Sequence, residues 1–501
     1  MPLEPFDPIS LFVRSAERWP QRIALEVADG HWSYAELNDR SNALADTLVA
    51  AGAEGQRVAF VARRDGPWTY AAILAILKAG ASCVPLLPEG PVQRWNTMLE
   101  RSGASFILGS LHPSPAEVEL RAQRQELTWC DPVSNDKPAP LFVPREVPTN
   151  AEAYVMFTSG STGGPKGVSV TRRNVAAYLG QFLGEYRFTP EDRFTQHFAL
   201  PFDLSVHDLF VSWSSGACLC VPSDAGGLRA ATWARKERIT VWFSVPSLGA
   251  VMRRARTLVP GSLPDLRYAF FCGEALLWEL ITEWQRAASN ARIINLYGPT
   301  EATIAITAYE VAGPAPVEGG TVPIGRPFGA NRVMVTPLDG TTDVNEGELL
   351  LGGPQIAAGY INAPEATARS FVQVPGKPGT WYRTGDHVRM DAAGVLHFIG
   401  RVDHQLKVLG HRVEPGEVDE TLAGVLGGGN AVTVPVVLNG VTRLITYVDV
   451  PADVDRLLGH LRNELPTHFV PERIVVLDEL PRTPNGKWDR PRLIHMAQDG
   501  Q

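Results

Sequence analysis

Five cysteines in 501 residues (Cys83, Cys130, Cys218, Cys220 and Cys272) are too few and too irregularly spaced for a disulfide framework. Cys218 and Cys220 have C-x-C spacing, but no second pair is present to complete a zinc site, so inert buried thiols are expected. Basic runs are missing, and a net charge of −8 argues against a nucleic-acid-binding surface. The first residues contain neither a basic n-region nor an apolar h-region, so no signal peptide is expected. The most apolar stretch, residues 70–87, is interrupted by Lys78, Gly80 and Pro85 and is too short to span a bilayer. A reducing, cytoplasmic setting is therefore expected, with neither membrane nor nucleic acid as partner. Internal repeats and low-complexity tracts are lacking. No G-x-G-x-x-G fingerprint follows an early strand, which argues against an ordinary dinucleotide-binding protein.

What is present is an ordinary globular composition, 45% apolar and 20% charged, in a chain longer than one hydrophobic core usually organises. Residues 33–51 read as a helix, with Ser33 as N-cap, Glu36 completing a capping box, and Gly52 ending it. A strand at 57–61, a helix at 68–78 and a strand at 83–86 follow, a βαβα rhythm that predicts a mostly parallel sheet covered by helices. Residues 131–150, rich in Pro, Asn and Asp, read as a surface connection. Strands are expected at 154–158, 240–244, 268–272 and 293–297, with helices at 174–183 and 278–287. Shorter ladder pieces are expected at 347–351, 397–399 and 405–408. Beyond Arg401 the pattern becomes a compact α+β unit with helices near 416–426 and 454–465, so two domains are expected, 1–402 and 403–501.

The strand at 154–158 runs into Thr158-Ser159-Gly160-Ser161-Thr162-Gly163-Gly164-Pro165-Lys166-Gly167. Successive backbone N–H groups in such a glycine-rich turn form a concave anion site, the hydroxyls add donors, and Lys166 adds a charge for phosphates. It is not a Walker loop, because Gly167 and not Ser or Thr follows the lysine.

This loop resembles the phosphate-binding signature of the adenylate-forming superfamily, which includes acyl-CoA synthetases, luciferases and nonribosomal-peptide adenylation domains. Further motifs of that family follow in its order. They are Trp32–Leu37, Leu77-Lys78-Ala79-Gly80, Asn295-Leu296-Tyr297-Gly298-Pro299-Thr300-Glu301, Gly347-Glu348-Leu349, Gly359-Tyr360 and Tyr382-Arg383-Thr384-Gly385-Asp386. Gly400-Arg401-Val402-Asp403, Gly410-His411-Arg412-Val413-Glu414 and Pro484-Asn485-Gly486-Lys487 close the series. The resemblance implies an α/β fold: a large N-terminal domain of parallel and mixed sheets with flanking helices and a distorted β-barrel, then a small mobile α+β C-terminal domain.

The resemblance also implies roles. ATP and Mg²⁺ are the expected cofactors, with Glu301 holding the metal and the Thr300 hydroxyl on the α-phosphate. Tyr297 stacks on adenine, Gly273, Glu274 and Ala275 line its other side, Asn295 and Gly298 belong to the same nucleotide site, and Asp386 takes the ribose hydroxyls with Arg401 near it. Lys487 bridges the carboxylate and phosphate oxygens during adenylation. Asp403 is the hinge about which the C-terminal domain turns, and Gly410 lets a pantetheine arm pass in the second pose. Phe202-Asp203-Leu204-Ser205-Val206-His207 is similar to the segment that binds the α-amine in amino-acid-activating members; a buried ammonium needs a carboxylate partner, and Asp203 supplies one. The lesser alternative is that Asp203 caps a helix starting at Leu204.

The implied pocket comprises Asp203, Leu204, His207, Phe243, Phe270, Cys272, Leu296, Gly298, Ile304 and Ala305, with Lys487. Its two Phe residues and aliphatics favour a small amino acid, alanine first, with serine, proline or a β-amino acid as alternatives. Phe271-Cys272-Gly273-Glu274 and residues 295–303 look much like the D-alanine–carrier-protein ligases, and the pocket also resembles stand-alone aminoacyl-carrier-protein ligases of natural-product pathways. Leu87 and Ala358 depart from the usual Asp and Arg of relatives and are expected to lie away from the chemistry. No carrier segment follows Lys487, so a free-standing, monomeric ligase is expected, acting on a separate carrier protein with a phosphopantetheine arm. An acyl- or aryl-CoA ligase and a non-catalytic scaffold are the rivals.

Overall fold

A computed structural model describes residues 6–28, 30–88, 90–132, 142–158, 164–223, 227–314, 316, 319–338, 345–403, 405–408, 410–438, 441–483 and 488–499. The early βαβα rhythm appears where the periodicity puts it. Tyr34–Ala50 is a helix whose Ser33 cap and Glu36 form the capping box. Arg57–Val61, the helix Pro67–Lys78 and Ser82–Leu86 follow as a parallel unit. Gly80 takes a left-handed φ of 76°, which lets the chain leave the helix for the strand. The motif residue Lys78 serves the fold. Buried at the helix end, its ammonium donates to Asn38 Oδ1, Ser41 Oγ and Asn42 Oδ1 at 2.7–2.8 Å. Burial lowers its pKa to about 7.

Two large sheets build most of the chain up to Arg401. One has nine strands, ordered from Arg326–Pro327 at one edge to Gly30–Ser33 at the other; the second has seven, from Gly359–Tyr360 to Thr128–Cys130. Central pairs in both are parallel, while antiparallel pairs lie toward the edges, giving mixed sheets. The largest apolar core joins residues of both sheets to six helices: Pro8–Arg18, Tyr34–Ala50, Pro67–Lys78, Arg172–Glu185, Leu204–Ser214 and Pro364–Ser370. Strands buried on both faces read as continuous apolar runs, which is why Val241–Ser244 and Tyr268–Phe271 show no alternation.

In place of the expected barrel, the described residues form an open five-stranded antiparallel sheet around Glu346–Gly352 and Thr380–Met390. The long strand Thr380–Met390 pairs with Phe371–Gln373 at its start and with Leu396–Arg401 at its end. Register shifts beside Glu348 and His387 bend it between partners. After Arg401 come the hairpin Leu406–Val408 with His411–Val413, and a three-stranded sheet with the helices Pro415–Ala423, Val454–Glu464 and Arg490–Asp499. Two apolar clusters here draw only on residues beyond Arg401. Among the described residues no helix is long and apolar enough to cross a membrane.

Candidate active site

The carboxyl ends of parallel strands are where open α/β sheets bind ligands. The strands Tyr268–Phe271 and Arg292–Tyr297 end beside an open cleft, walled on the far side by residues 405–407 and 410–412. Thr158, Gly273, Tyr297, Gly298, Thr300 and Glu301 line it, and so do Asp386, Arg401 and Gly410. These residues lie up to 252 positions apart in the chain (158 to 410) yet meet at one site.

The strands on either side of the loop are neighbours in the sheet. Thr158 pairs with Lys166 as the strands Glu152–Thr158 and Lys166–Thr171 run antiparallel. Ser159, Gly160, Ser161, Thr162 and Gly163 lie outside the described residues. Lys166 is half-buried, with its ammonium 5.7 Å from the Tyr360 ring centre. Burial and the nearby Arg412 guanidinium lower its pKa.

Glu301 is fully buried. Its Oε1 accepts from the Tyr360 hydroxyl at 2.6 Å and from Arg412 Nη1 at 2.9 Å. Its Oε2 is buried with no hydrogen-bond partner among the described residues. Burial pushes the Glu301 carboxyl up, but the Arg412 guanidinium and the Tyr360 hydroxyl outweigh it and hold the group below the usual carboxylate range. An ionised carboxylate with one buried oxygen uncommitted fits a Mg²⁺ ligand.

Tyr297 donates its hydroxyl to Asp386 Oδ2, and Asp386 Oδ1 accepts from Arg401 Nη1 at 2.6 Å. Arg401 continues to both oxygens of Asp403, at 2.6 and 2.7 Å, and to Gln405 Oε1 at 2.7 Å. One guanidinium thus ties the residues matched to ribose and hinge. The Lys407 ammonium sits 5.9 Å above the Tyr297 ring. Glu274 accepts from Gly410 N–H at 2.6 Å and from Ser247 N–H at 2.8 Å, so it joins the 406–413 hairpin to the sheet edge.

Asp203 stands at the N-cap of Leu204–Ser214 yet makes no side-chain cap bond. Its Oδ2 instead accepts from Ile304 N–H at 3.1 Å. That N–H is presented by a strained turn: Thr303 and Ile304 have φ of 55° and 73°, a region β-branched residues avoid. Gln355 braces the turn, its Nε2 donating to the Thr303 and Ala305 carbonyls at 3.1 and 2.7 Å, and its backbone carbonyl accepting from Thr303 Oγ1 at 2.6 Å. Gly298 lies against the same turn, where a Cβ would be 2.7 Å from Ala305 Cα. Burial pushes the Asp203 carboxyl up to about 7, with the Ile304 N–H and the Thr300 hydroxyl pulling it back down.

Of the matched pocket residues, only Asp203, Leu204 and Gly298 line the cleft. His207, Phe243, Phe270, Cys272, Leu296, Ile304 and Ala305 are buried beneath it in the main core. The His207 ring packs 4.5 Å from Phe243 and 4.7 Å from Phe182, and its Nδ1 is 2.6 Å from the Tyr178 hydroxyl. Burial lowers its pKa to about 3, so it stays neutral and cannot serve as a cation for an acidic substrate.

Some expectations need correction. Asn295 does not line the cleft: it shares the strand face of Tyr297 but stands two residues back from the strand's end, where its Nδ2 donates to the Pro323 carbonyl at 2.9 Å. Ala275 is exposed and also outside the lining. Leu87 lines the cleft, contrary to its expected remoteness, because Ser82–Leu86 ends at the same rim. Lys487 lies outside the described residues, while its neighbours Arg482 and Trp488 pair with each other away from the cleft.

Sequence reasoning missed Gln355, Arg94, Lys407 and His468. Arg94 pairs with Glu417 at 2.9 Å, both nearly buried, joining the helix Val92–Ser102 to Pro415–Ala423. His468 stacks on His411 with ring centres 3.9 Å apart, and His411 packs edge-on to Phe202. Arg412 stands inside one of the family motifs, which is the one signal the sequence offers for it.

A family model described as "AMP-binding enzyme" matches residues 12–361. The phosphinothricin tripeptide synthetase PhsC of Streptomyces viridochromogenes (strain DSM 40736) is 35% identical over 508 residues, covering 97% of this chain and 45% of PhsC. The chain spans less than half the length of the curated relatives it matches. Among solved structures, the Vibrio cholerae adenylation domain AlmE in complex with glycyl-adenosine-5′-phosphate superposes with a TM-score of 0.85 at 31% identity, covering 100% of this chain and 99% of AlmE. Holo-PA1221, a nonribosomal peptide synthetase protein with adenylation and carrier domains, gives 0.83 at 26% identity, covering 98% and 84%. With residues of several motifs gathered at one cleft and the family model matching most of the chain, this protein belongs to the AMP-binding, adenylate-forming enzyme family.

Proposed function

We propose that this protein activates a small amino acid with ATP, releasing pyrophosphate, and passes the aminoacyl group to the phosphopantetheine thiol of a separate carrier protein. The observation that carries the amino-acid reading is the Asp203 carboxyl, buried at the cleft edge on the Ile304 N–H. Alanine is favoured, with serine, proline and a β-amino acid behind it, because the floor beneath Asp203 is closed by His207, Phe243 and Phe270. AlmE, which holds a glycyl adenylate, supports a small side chain, and PA1221 supports a carrier-borne acceptor.

In the first step a carboxylate oxygen of the substrate attacks the α-phosphorus, and the bond to the β-phosphate oxygen breaks. Glu301 would hold Mg²⁺, which neutralises triphosphate charge when bound. Thr300 orients the α-phosphate, Tyr297 and Gly273 flank the adenine, and Asp386 with Arg401 takes the ribose. Asp203 fixes the substrate ammonium. In the second step the pantetheine thiolate attacks the acyl carbon and AMP leaves. Two domains, 1–402 and 403–501, turning about Asp403 would present Lys487 for the first step and the 406–413 hairpin for the second.

Gly410 tests the second pose. Its φ is 80°, and a Cβ there would lie 2.4 Å from Val245 Cγ1. Gly410→Val is expected to slow thioester formation at least about tenfold while ATP–pyrophosphate exchange stays within about twofold, because a side chain cannot seat where the hairpin meets Val245. Equal loss in both assays would remove the assignment.

The pH profile tests Asp203. Its carboxyl, raised to about 7, must be ionised to hold an ammonium, so affinity should improve as pH rises. Only about a tenth is ionised at pH 6 and about nine-tenths at pH 8, which predicts a KM for the amino acid about tenfold higher at pH 6. A KM flat across this range would contradict the ion pair. The broader test is ATP–pyrophosphate exchange across the proteinogenic amino acids, both enantiomers, and a few aryl acids. Exchange with aryl acids alone would make this a CoA-ligase-type enzyme, and no exchange would favour a scaffold.

A further inference from the structure

On the nine-stranded sheet, away from the cleft, three metal-ligating side chains meet that lie far apart in the chain. Cys218 and Cys220 are alternate residues of one strand, so both thiols project from the same face. The neighbouring parallel strand Ile23–Val27 sets Glu26 in register with Cys220, which brings its carboxylate to that face as well. Among the described residues, this is the group of at least three His, Cys, Asp or Glu whose ligand atoms all lie within 4.8 Å of one another. None of the three lines the cleft.

We propose that Cys218, Cys220 and Glu26 form a binding site for a thiophilic divalent cation of the zinc class. The two Sγ atoms are 3.7 Å apart. Two thiolates on one tetrahedral Zn²⁺, each at about 2.3 Å, stand about 3.8 Å apart, so the pair is already spaced for the ion. On the other flank the strand Arg193–Thr195 sets Arg193 in register with Cys218. Its Nη2 donates to Glu26 Oε2 at 3.0 Å. That bond orients the carboxylate, giving it the outer partner that metal-bound carboxylates usually have. With both thiols ionised, the three ligands and Arg193 together carry the charge of a dianion, which a divalent cation cancels. Glu237, 3.5 Å from the same Arg193 nitrogen, keeps the guanidinium from facing the thiols alone.

Both thiols are buried, whereas the side chains of Glu26 and Arg193 are 29% and 24% exposed, so the carboxylate end opens to solvent. A cation enters there, and a water completes its coordination. Burial holds the Cys220 thiol well above its ordinary pKa, so binding releases protons to solvent as thiolate–metal bonds form.

The test is a titration of reduced, metal-free protein with Cd²⁺, reading the thiolate-to-metal charge-transfer absorption, followed by displacement with Zn²⁺. One cation per chain is expected. The band should vanish in Cys218→Ser and Cys220→Ser, and Glu26→Gln should raise Kd at least about tenfold. Cys83→Ser with Cys130→Ser should leave it unchanged. Cooperative thermal melting of each variant reports an intact fold, and if the cysteine variants fail to fold, the partly exposed Glu26→Gln decides alone. No saturable band, a band surviving in Cys220→Ser, or a Kd unmoved in folded Glu26→Gln would overturn the site.

Discussion

Asp203→Asn is expected to lower kcat/KM for amino-acid activation about 10²–10³-fold while leaving the fold unchanged. Asparagine keeps the shape and an oxygen to accept the Ile304 N–H, now at 3.1 Å, so the strained turn at 303–304 retains its brace. What disappears is the charge facing the substrate ammonium. Breaking one side of a buried ion pair costs about 3–5 kcal/mol, which is the origin of the fold-change. The loss should fall on alanine and hardly on propionate, which carries no ammonium. Exchange kinetics with both acids check this. If alanine and propionate lose equally, Asp203 is a structural residue of the turn and the amino-acid reading fails. The KM of the variant should also lose the pH dependence expected of the parent.

Lys487→Ala is expected to reduce ATP–pyrophosphate exchange about 10²–10³-fold, the usual cost of removing one donor to developing negative charge. Transfer of the aminoacyl group from a supplied aminoacyl-adenylate to a phosphopantetheine thiol should survive. The separation follows from the arrangement at the cleft. The C-terminal residues lining it come from 405–412 and from 466–469, not from the segments flanking Lys487. Gly410 N–H on Glu274 and Arg412 on Glu301 hold the hairpin in place. In the proposed reading, a turn of the C-terminal part about Asp403 would bring Lys487 to the cleft and release those two contacts. Single-turnover transfer assays check the prediction. Most of the exchange activity remaining in the variant would discard the assignment of Lys487, and loss of both half-reactions would discard their separation.

Legibility from the sequence follows the range of the interactions. The capping box at Ser33 and Glu36, the strand at 57–61 and the helix ending at Lys78 depend on neighbours a few residues apart, and each is readable. The helices Val92–Ser102 and Pro246–Arg254 escape that reading of local pattern. In the site, motif residues such as Tyr297, Thr300, Glu301 and Asp386 are legible because short signatures contain them. Gln355 is not, since its worth lies wholly in reaching the carbonyls of Thr303 and Ala305, 52 and 50 positions away.

The sequence alone determined the family and picked out Tyr297, Thr300, Glu301, Asp386 and Arg401, which meet at one cleft, because local periodicity and motif order survive without coordinates. The tertiary structure decided the rest. It showed Asp203 turning from its own helix to the Ile304 N–H, His207 kept neutral among aromatic rings, and Arg412 paired with Glu301. It also brought Glu26 beside a C-x-C pair that has no third ligand near it in the sequence. Each of these rests on strand register or on burial, which set distance and dielectric between residues remote in the chain and leave no mark on sequence spacing.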